Sequence, residues 1–575
     1  MDLKKVQVRV KHEGLSFLTI TLPNFGKDFE KSLDRGYVDR RLFTGFQFRG
    51  GLPLFLGGFL DRVFDRGSGL LLDEPDIDAI LAVRQLTLMF GKILVPCSDA
   101  RTHKAMKQFI QSEQEVREND AQVSPAMLAD LRRVFRMLFG EMCDLLDQNI
   151  WDQCHVPRHG PGATADKLSG NRKYEQKRWT QRLEEYFPME SFLIANSSYQ
   201  EELNAVDLLE PGRELPVKVI PVPKTLKTPR IIAVEPTAMQ YAQQSIQEMI
   251  YEYVKSNRQL FRFIGFTDQT PNQRLAQKGS LRGELATLDL SEASDRVSNQ
   301  LVRALLSDWP FLHGAVDACR SRKADVPGFG VIRLAKFASM GSALSFPVEA
   351  MVFLTAAFLG IEKGLNKPLS PKRIQSFEGR VRVYGDDIIV PVDYVHPVVE
   401  ALEHFGARVN SGKSFWTGKF RESCGKEFYG GHDVSIVRVR HLAPTQPGHA
   451  TGIASWVSMR NQFYYAGYWD TCKWLDEYIR GVIKHFPVVL PSSPVLGRES
   501  FLGYEVQRIG RRLHDPQVKG YVISSPLPVD VLDGHGALLK GFLKRGDMPI
   551  ADRDHLERAG RPRAVNIVPR WASAI

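Results

Sequence analysis

Three aspartates, Asp289, Asp386 and Asp387, stand in sequence surroundings suited to metal-assisted phosphoryl chemistry. Asp289 lies near the end of a short apolar run, residues 286–290, and Asp386 and Asp387 follow Gly385 between two further apolar runs. Magnesium prefers hard oxygen ligands and keeps several waters, so a few carboxylates on a rigid support suffice to hold it. Two such ions, roughly 3.5 to 4 Å apart, lower the pKa of an attacking hydroxyl, clamp a phosphate and neutralise a leaving group.

The elements around these acids are legible. The run 286–290 reads as a strand that carries Asp289 to its end, and residues 291–295 supply polar capping groups before Val297, Leu301 and Leu305 recur at helical spacing. Val381-Arg382-Val383-Tyr384 alternates, Gly385-Asp386 suits a two-residue turn, and Ile388-Ile389-Val390 returns as a second strand. Asp289 and Asp386 meet if their strands are neighbours in one sheet. Read singly, each acid has a plainer use, since acids at turns commonly satisfy backbone donors.

Residues 125–147 and 236–254 carry apolar positions at helical spacing and read as packed helices. Val6, Val8 and Val10 alternate before His12-Glu13-Gly14, and Leu18, Ile20 and Leu22 alternate after it, which predicts an N-terminal β-hairpin rather than a signal peptide. Residues 344–359 form the longest apolar stretch, and Glu349 interrupts it short of a membrane span. Beyond about Pro526 the chain turns basic and irregular (Arg545, Arg553, Arg558, Arg561, Arg563, Arg570, with Pro549, Pro562 and Pro569), the composition of a solvated tail.

The length of 575 residues implies several subdomains, and 43% hydrophobic with 25% charged residues is the composition of a folded protein. A net charge of +10 favours a polyanionic partner. Six cysteines without a short repeated spacing suit reduced thiols and a cytoplasmic setting. Cys143, Cys154, His155 and His159 cluster locally, but their spacing matches no usual zinc pattern.

The order of short motifs narrows the reading. Lys224-Thr225-Leu226-Lys227-Thr228-Pro229-Arg230, Asp289-Leu290-Ser291-Glu292-Ala293-Ser294-Asp295, Ser339-Met340-Gly341, Tyr384-Gly385-Asp386-Asp387 and Gly412-Lys413 follow one another as in viral RNA polymerases. Together with Asp268-Gln269-Thr270, Asn272-Gln273-Arg274 and Phe420-Arg421-Glu422-Ser423-Cys424-Gly425-Lys426, the set resembles the replicase subunit of single-stranded RNA bacteriophages of the Q-beta type.

That resemblance implies an α+β right-hand polymerase. Residues 1–210 would form an N-terminal region and part of the fingers, 211–284 the rest of the fingers, 285–440 a palm of antiparallel sheet plus helices, and 441–575 a thumb with a basic tail. It implies that Asp289 and Asp386 bind two Mg2+ ions, with Mn2+ able to substitute, and that Asp387 is the adjacent ligand. Lys224, Lys227 and Arg230 would grip the incoming triphosphate, and Lys413 would protonate the departing pyrophosphate. Asp295 would sense the ribose 2′ hydroxyl, or else cap its own helix. Its partner in many viral polymerases is an Asn four residues after a Thr or Ser; here Ser345 is followed by Glu349, which leaves that role open. Arg158, His159 and the segment 160–164 would let a template backbone pass, or form a plain turn.

The implied partners are an RNA template and product, ribonucleoside triphosphates, host elongation factors Tu and Ts and a ribosomal RNA-binding protein, with no membrane, in the cytoplasm of a bacterial host. Two rivals are a reverse transcriptase-like polymerase and a non-catalytic RNA-binding protein. The first would usually place a bulky aromatic after its leading acid, where Leu290-Ser291-Glu292 stands. A phosphate-loop reading of residues 406–414 fails on spacing, because five residues separate Gly406 from Gly412 where four are needed.

Overall fold

The structure is a computed structural model and describes residues 2–160, 162–168, 170–525, 532–543 and 565–575. Its centre is a three-stranded antiparallel sheet in the order Arg382–Tyr384, Asp387–Pro391, Leu285–Asp289. Ala286, Leu288, Val383, Ile388 and Val390 of these strands are buried in the largest apolar core. Bridges from Thr287 to Phe415 and from Leu290 to Val409 extend the sheet beyond its third strand.

Helices pack behind the sheet. Pro125–Trp151 begins with Pro in its first turn, where a missing N–H costs nothing, and the Ser124 hydroxyl accepts the Met127 N–H. This helix and Thr237–Ser256 match the expected spans. Ser345–Leu365 runs through the core and packs on both Pro125–Trp151 and Val395–His404. Gly360 permits the second contact: a Cβ there would lie 2.5 Å from the Cα of Val398. By length and composition Ser345–Leu365 suffices to cross a membrane, contrary to the expectation from Glu349. Its apolar side chains are instead spent on the protein interior, where 89% of its most apolar window is buried.

A second sheet, in the order Arg230–Val234, Val217–Val222, Lys323–Val326, Gly330–Arg333, carries the basic loop 223–229 between its first two strands. The N-terminal residues do not form the expected hairpin. Asp2–Glu13 and Leu22–Arg35 are helices, because Val6 and Val10, four residues apart, both rest with Leu18 on a core containing Phe25, Phe29 and Phe64. Contacts one helical turn apart outweigh the local alternation.

At the other end, the expected irregular tail is in part ordered. Gly534–Leu543 is a helix, and Asn566–Ser573 pairs antiparallel with Pro516–Ser524, setting Arg570 opposite Gly520 and Pro569 opposite Tyr521. A long-range strand partner supplies what local composition did not indicate. Arg545, Arg553, Arg558, Arg561, Arg563, Pro549 and Pro562 lie outside the described residues.

Candidate active site

The register of the central sheet brings the acids together. Asp387 opens the strand Asp387–Pro391 directly opposite Asp289, and Tyr384 faces it on the other side, so Gly385 and Asp386 make the two-residue turn. Gly385 has φ of 60°, and a Cβ there would lie 2.3 Å from the ring of Phe346. Glycine is thus required on two counts, conformation and space. Phe346 also meets Tyr384 edge to face at 5.3 Å, so the first turn of Ser345–Leu365 buttresses the hairpin tip.

Asp289 is held by a loop that follows the sheet. Asn410 donates its side-chain amide to Oδ2 at 2.9 Å and its backbone N–H to the Asp289 carbonyl at 2.8 Å. Ser414 Oγ accepts the Asp289 N–H at 3.1 Å, and Lys413 Nζ donates to Oδ1 at 2.9 Å. Burial opposes the charge of Lys413, yet Asp289 and Glu422 together hold its ammonium above the ordinary lysine range. The loop that mimics a phosphate-binding pattern therefore serves an aspartate.

Asp386 touches solvent but is crowded by protein on most sides. That crowding, with the charge of Asp289, raises its carboxyl above the usual carboxylate range against the pull of Lys413 and Lys224. Asp387 is pushed up to about 7 by burial and by Asp386. Ser423 donates to Asp387 Oδ1 at 3.3 Å, and Arg382 donates to Asn272 at 3.0 Å behind the hairpin. Gln273 donates to the Cys424 carbonyl at 3.0 Å. The Asn272-Gln273 and Phe420–Ser423 motifs thus form a supporting layer under the acids.

These carboxylates suit a hard divalent cation, whose charge would relieve the repulsion that raises Asp386 and Asp387. Among the described residues no three His, Cys, Asp or Glu side chains already enclose a metal-sized space. Lys413 instead lends Asp289 its positive charge. Cys143 is buried in the main core, and His155 and His159 face aromatic rings, of Phe187 and Tyr241 respectively.

Asp295 accepts a hydrogen bond from Lys336 Nζ at 2.9 Å. Lys336 is fully buried, also pairs with Glu113 at 3.1 Å, and lies 3.4 Å from the centre of the Phe109 ring. Asp295 does not cap the following helix; Ser298 does, accepting the N–H groups of Gln300 and Leu301. Ser345 opens its helix, and one turn on Glu349 is buried with one carboxyl oxygen unpartnered. Burial, then Asp386 and Asp295, drive the Glu349 carboxyl well above its usual range.

Lys224 is lowered by crowding, Arg230 and Lys413, and stabilised by Asp386 and Asp289, so it shares their field. Lys227 is exposed on the same loop and has no ion pair among the described residues. Gly341, with φ of 132°, packs against the strand Arg230–Val234: the Ala233 N–H donates to the Met340 carbonyl at 2.9 Å, and a Cβ on Gly341 would lie 2.0 Å from the Ala233 oxygen. In the segment 158–164, Lys173 donates to the Gly160 carbonyl at 2.8 Å, while Pro161 lies outside the described residues.

Sequence reasoning missed Asn410, Ser414, Ser423 and Lys336 as supports of the acids. Asn410 offered one signal, a turn-forming residue three positions before Lys413. Lys336 offered none, since its partner lies 41 residues away.

An antiparallel sheet backed by helices, with acids on adjoining strand ends, places the chain in the α+β class. Residues 209–447 match the family described as RNA replicase, beta-chain, the kinship implied by the motif order. The chain is 38% identical over 224 residues to the RNA-directed RNA polymerase subunit beta of Qbeta virus (strain MX1), covering 39% of this chain and 35% of the relative. It is 39% identical over 216 residues to the RNA-directed RNA polymerase beta chain of Escherichia phage MS2, covering 38% of this chain and 36% of that one. The match thus spans about a third of each relative's length. Among solved structures, the RNA-dependent RNA polymerase of a human picobirnavirus aligns at 12% identity and a TM-score of 0.33, over 47% of this chain and 56% of its own.

Proposed function

We propose that the chain is an RNA-dependent RNA polymerase that copies the genome of a positive-strand RNA phage. The observation that carries this reading is the pairing of Asp387 with Asp289 beside the Gly385-Asp386 turn, within the segment that matches replicase beta chains. In the reaction the 3′ hydroxyl oxygen of the growing strand bonds to the α-phosphorus of a ribonucleoside triphosphate, and the bond to pyrophosphate breaks.

Asp289 and Asp386 would hold two Mg2+ ions, or Mn2+ in their place, with Asp387 adjacent. Bound there, the ions supply acidification of the attacking hydroxyl and neutralisation of phosphate charge. Lys224, Lys227 and Arg230 grip the triphosphate, and Asp295, fixed by Lys336, reads the 2′ hydroxyl near Ser345. Lys413, held protonated, gives its proton to the leaving pyrophosphate. Residues 285–440 act as the palm, 211–284 with part of 1–210 as fingers, and 441–575 as thumb. The net charge of +10 supports a salt-sensitive, largely sequence-blind grip on template and product.

Initiation without a primer, assembly with elongation factors Tu and Ts and a ribosomal RNA-binding protein, and action in the bacterial cytoplasm follow from the likeness to the Q-beta type. The deciding experiment compares wild type with Asp386→Asn in magnesium-dependent, RNA-templated nucleotide incorporation with host factors present. Incorporation should fall by about 10³-fold or more, with folding and RNA affinity retained. Equal activity would sink the reading, and a preference for deoxynucleotides would turn it toward reverse transcription.

A further inference from the structure

The stretch 89–101 precedes the segment that matches the replicase family and has no part in the roles above. Two sets of hydrogen bonds strap it in place. On one side the Val439 N–H donates to the Met89 carbonyl at 2.9 Å and the Leu94 N–H to the Arg440 carbonyl at 2.7 Å. On the other, the Cys97 thiol donates to the Thr225 carbonyl at 3.0 Å and Arg101 to the Leu226 carbonyl at 2.7 Å. The stretch therefore ties the basic loop of Lys224 to the chain leaving the palm, and Lys92 sits within it beside Arg440.

Lys92 and Arg440 are both exposed, and neither has an ion pair or a side-chain hydrogen bond among the described residues. Arg438 is tied to Glu427 at 3.0 Å. Lys413 links this group to the acids through its contact with Asp289. Crowding, then Arg438, push the Lys92 ammonium down to about 8, with Lys413 and Arg440 adding to the effect and Glu422 opposing it. Lys92 and Arg440, held on segments strapped to each other, repel one another, and an anion of high charge density would remove that penalty.

We propose that Lys92 and Arg440, beside Arg438 and Lys413, form a polyphosphate subsite that takes the β- and γ-phosphates of the incoming nucleotide and the pyrophosphate made from them. The substrate named here rests on the polymerase reading. The stretch that carries Lys92 is strapped by Cys97 and Arg101 to the loop of Lys224, and Lys413 adds to the field on Lys92, whereas a strand of RNA would follow a spaced row of cations. Their two sources, the 89–101 stretch and the 438–440 segment, explain why the strap is needed: each holds the other's charge in position.

The test uses the full chain as wild type, Lys92→Met, Lys92→Arg and Arg440→Met, with thermal melting to establish folding. Binding of inorganic pyrophosphate with magnesium is measured by calorimetry, and binding of single-stranded RNA by filter retention. Lys92→Met and Arg440→Met should each weaken pyrophosphate about tenfold, leave RNA affinity unchanged and raise KM for nucleotides more than they lower kcat. Lys92→Arg should restore most of the affinity. Unchanged pyrophosphate binding in folded Lys92→Met and Arg440→Met overturns the subsite, as does a loss confined to RNA. If pyrophosphate binding depends on Lys92 but wild type incorporates no nucleotide, the subsite stands and the polymerase reading falls.

Discussion

Lys413 Nζ lies 2.9 Å from Asp289 Oδ1, so the acid that ends the strand Leu285–Asp289 is paired with a lysine from a loop more than a hundred residues later. The contact keeps Lys413 charged and aimed at the centre where phosphate chemistry would occur. The same contact sets the Lys413 ammonium beside a carboxylate that would hold a metal ion.

Replacing Lys413 by Met should therefore lower kcat for nucleotide incorporation by about 10²-fold, the scale of a lost general acid, with little change in KM. Single-turnover kinetics would separate this from slower product release. A variant with wild-type kcat would remove Lys413 from the chemistry.

The raised carboxyl of Glu235 should show in stability. Burial raises its carboxyl from 4.5 to about 7, although Ser321 and Gln243 hydrogen-bond to it. The folded state holds this proton more tightly than the unfolded chain. Its contribution is thus complete below the unfolded pKa and is lost as pH rises through the folded one. Between about pH 5 and 8 the loss should be on the order of 3 kcal/mol. Urea titrations across that range should show a shallower decline for Glu235→Gln, and an identical slope would refute the assignment.

Arg84 is buried between Glu30 and Glu427, 2.9 Å from each, and ties the N-terminal helices to the strand Lys426–Tyr429. Arg84→Met removes the cation that the two buried carboxylates share, leaving Glu30 only Lys27 and Glu427 only Arg438, and should cost about 3 kcal/mol. Adding Glu30→Gln should recover part of that loss, and a double-mutant cycle by chemical unfolding reads the coupling. Additive effects would mean that the pair is not coupled.

Gly341 should tolerate no side chain. Gly341→Ala meets both an unfavourable φ and the Ala233 carbonyl, and about 3 kcal/mol or more of destabilisation is expected. Thermal melting checks it. A melting temperature equal to wild type would show that the 339–341 turn can shift.

The sequence alone determined the local framework of the site. The apolar run before Asp289, the alternation on both sides of Gly385-Asp386 and the long helical repeats of 125–147 and 236–254 all depend on near neighbours, and each is present. The alternating valines at Val6, Val8 and Val10 misled, because helix and hairpin differ little locally and the Phe25 and Phe29 core chose the helix. Asn566–Ser573 misled in the opposite direction, since its strand exists only through pairing with Pro516–Ser524.

Tertiary structure alone decided which groups serve the acids. Lys336 reaches Asp295, Asn410 and Lys413 reach Asp289, and Cys97 and Arg101 reach the Lys224 loop from outside the motif-rich segment. A strand or helix is set by side chains a few residues apart, and its period is written in the chain. A hydrogen bond or shared field between distant residues depends on how finished elements pack, and no local spacing records that.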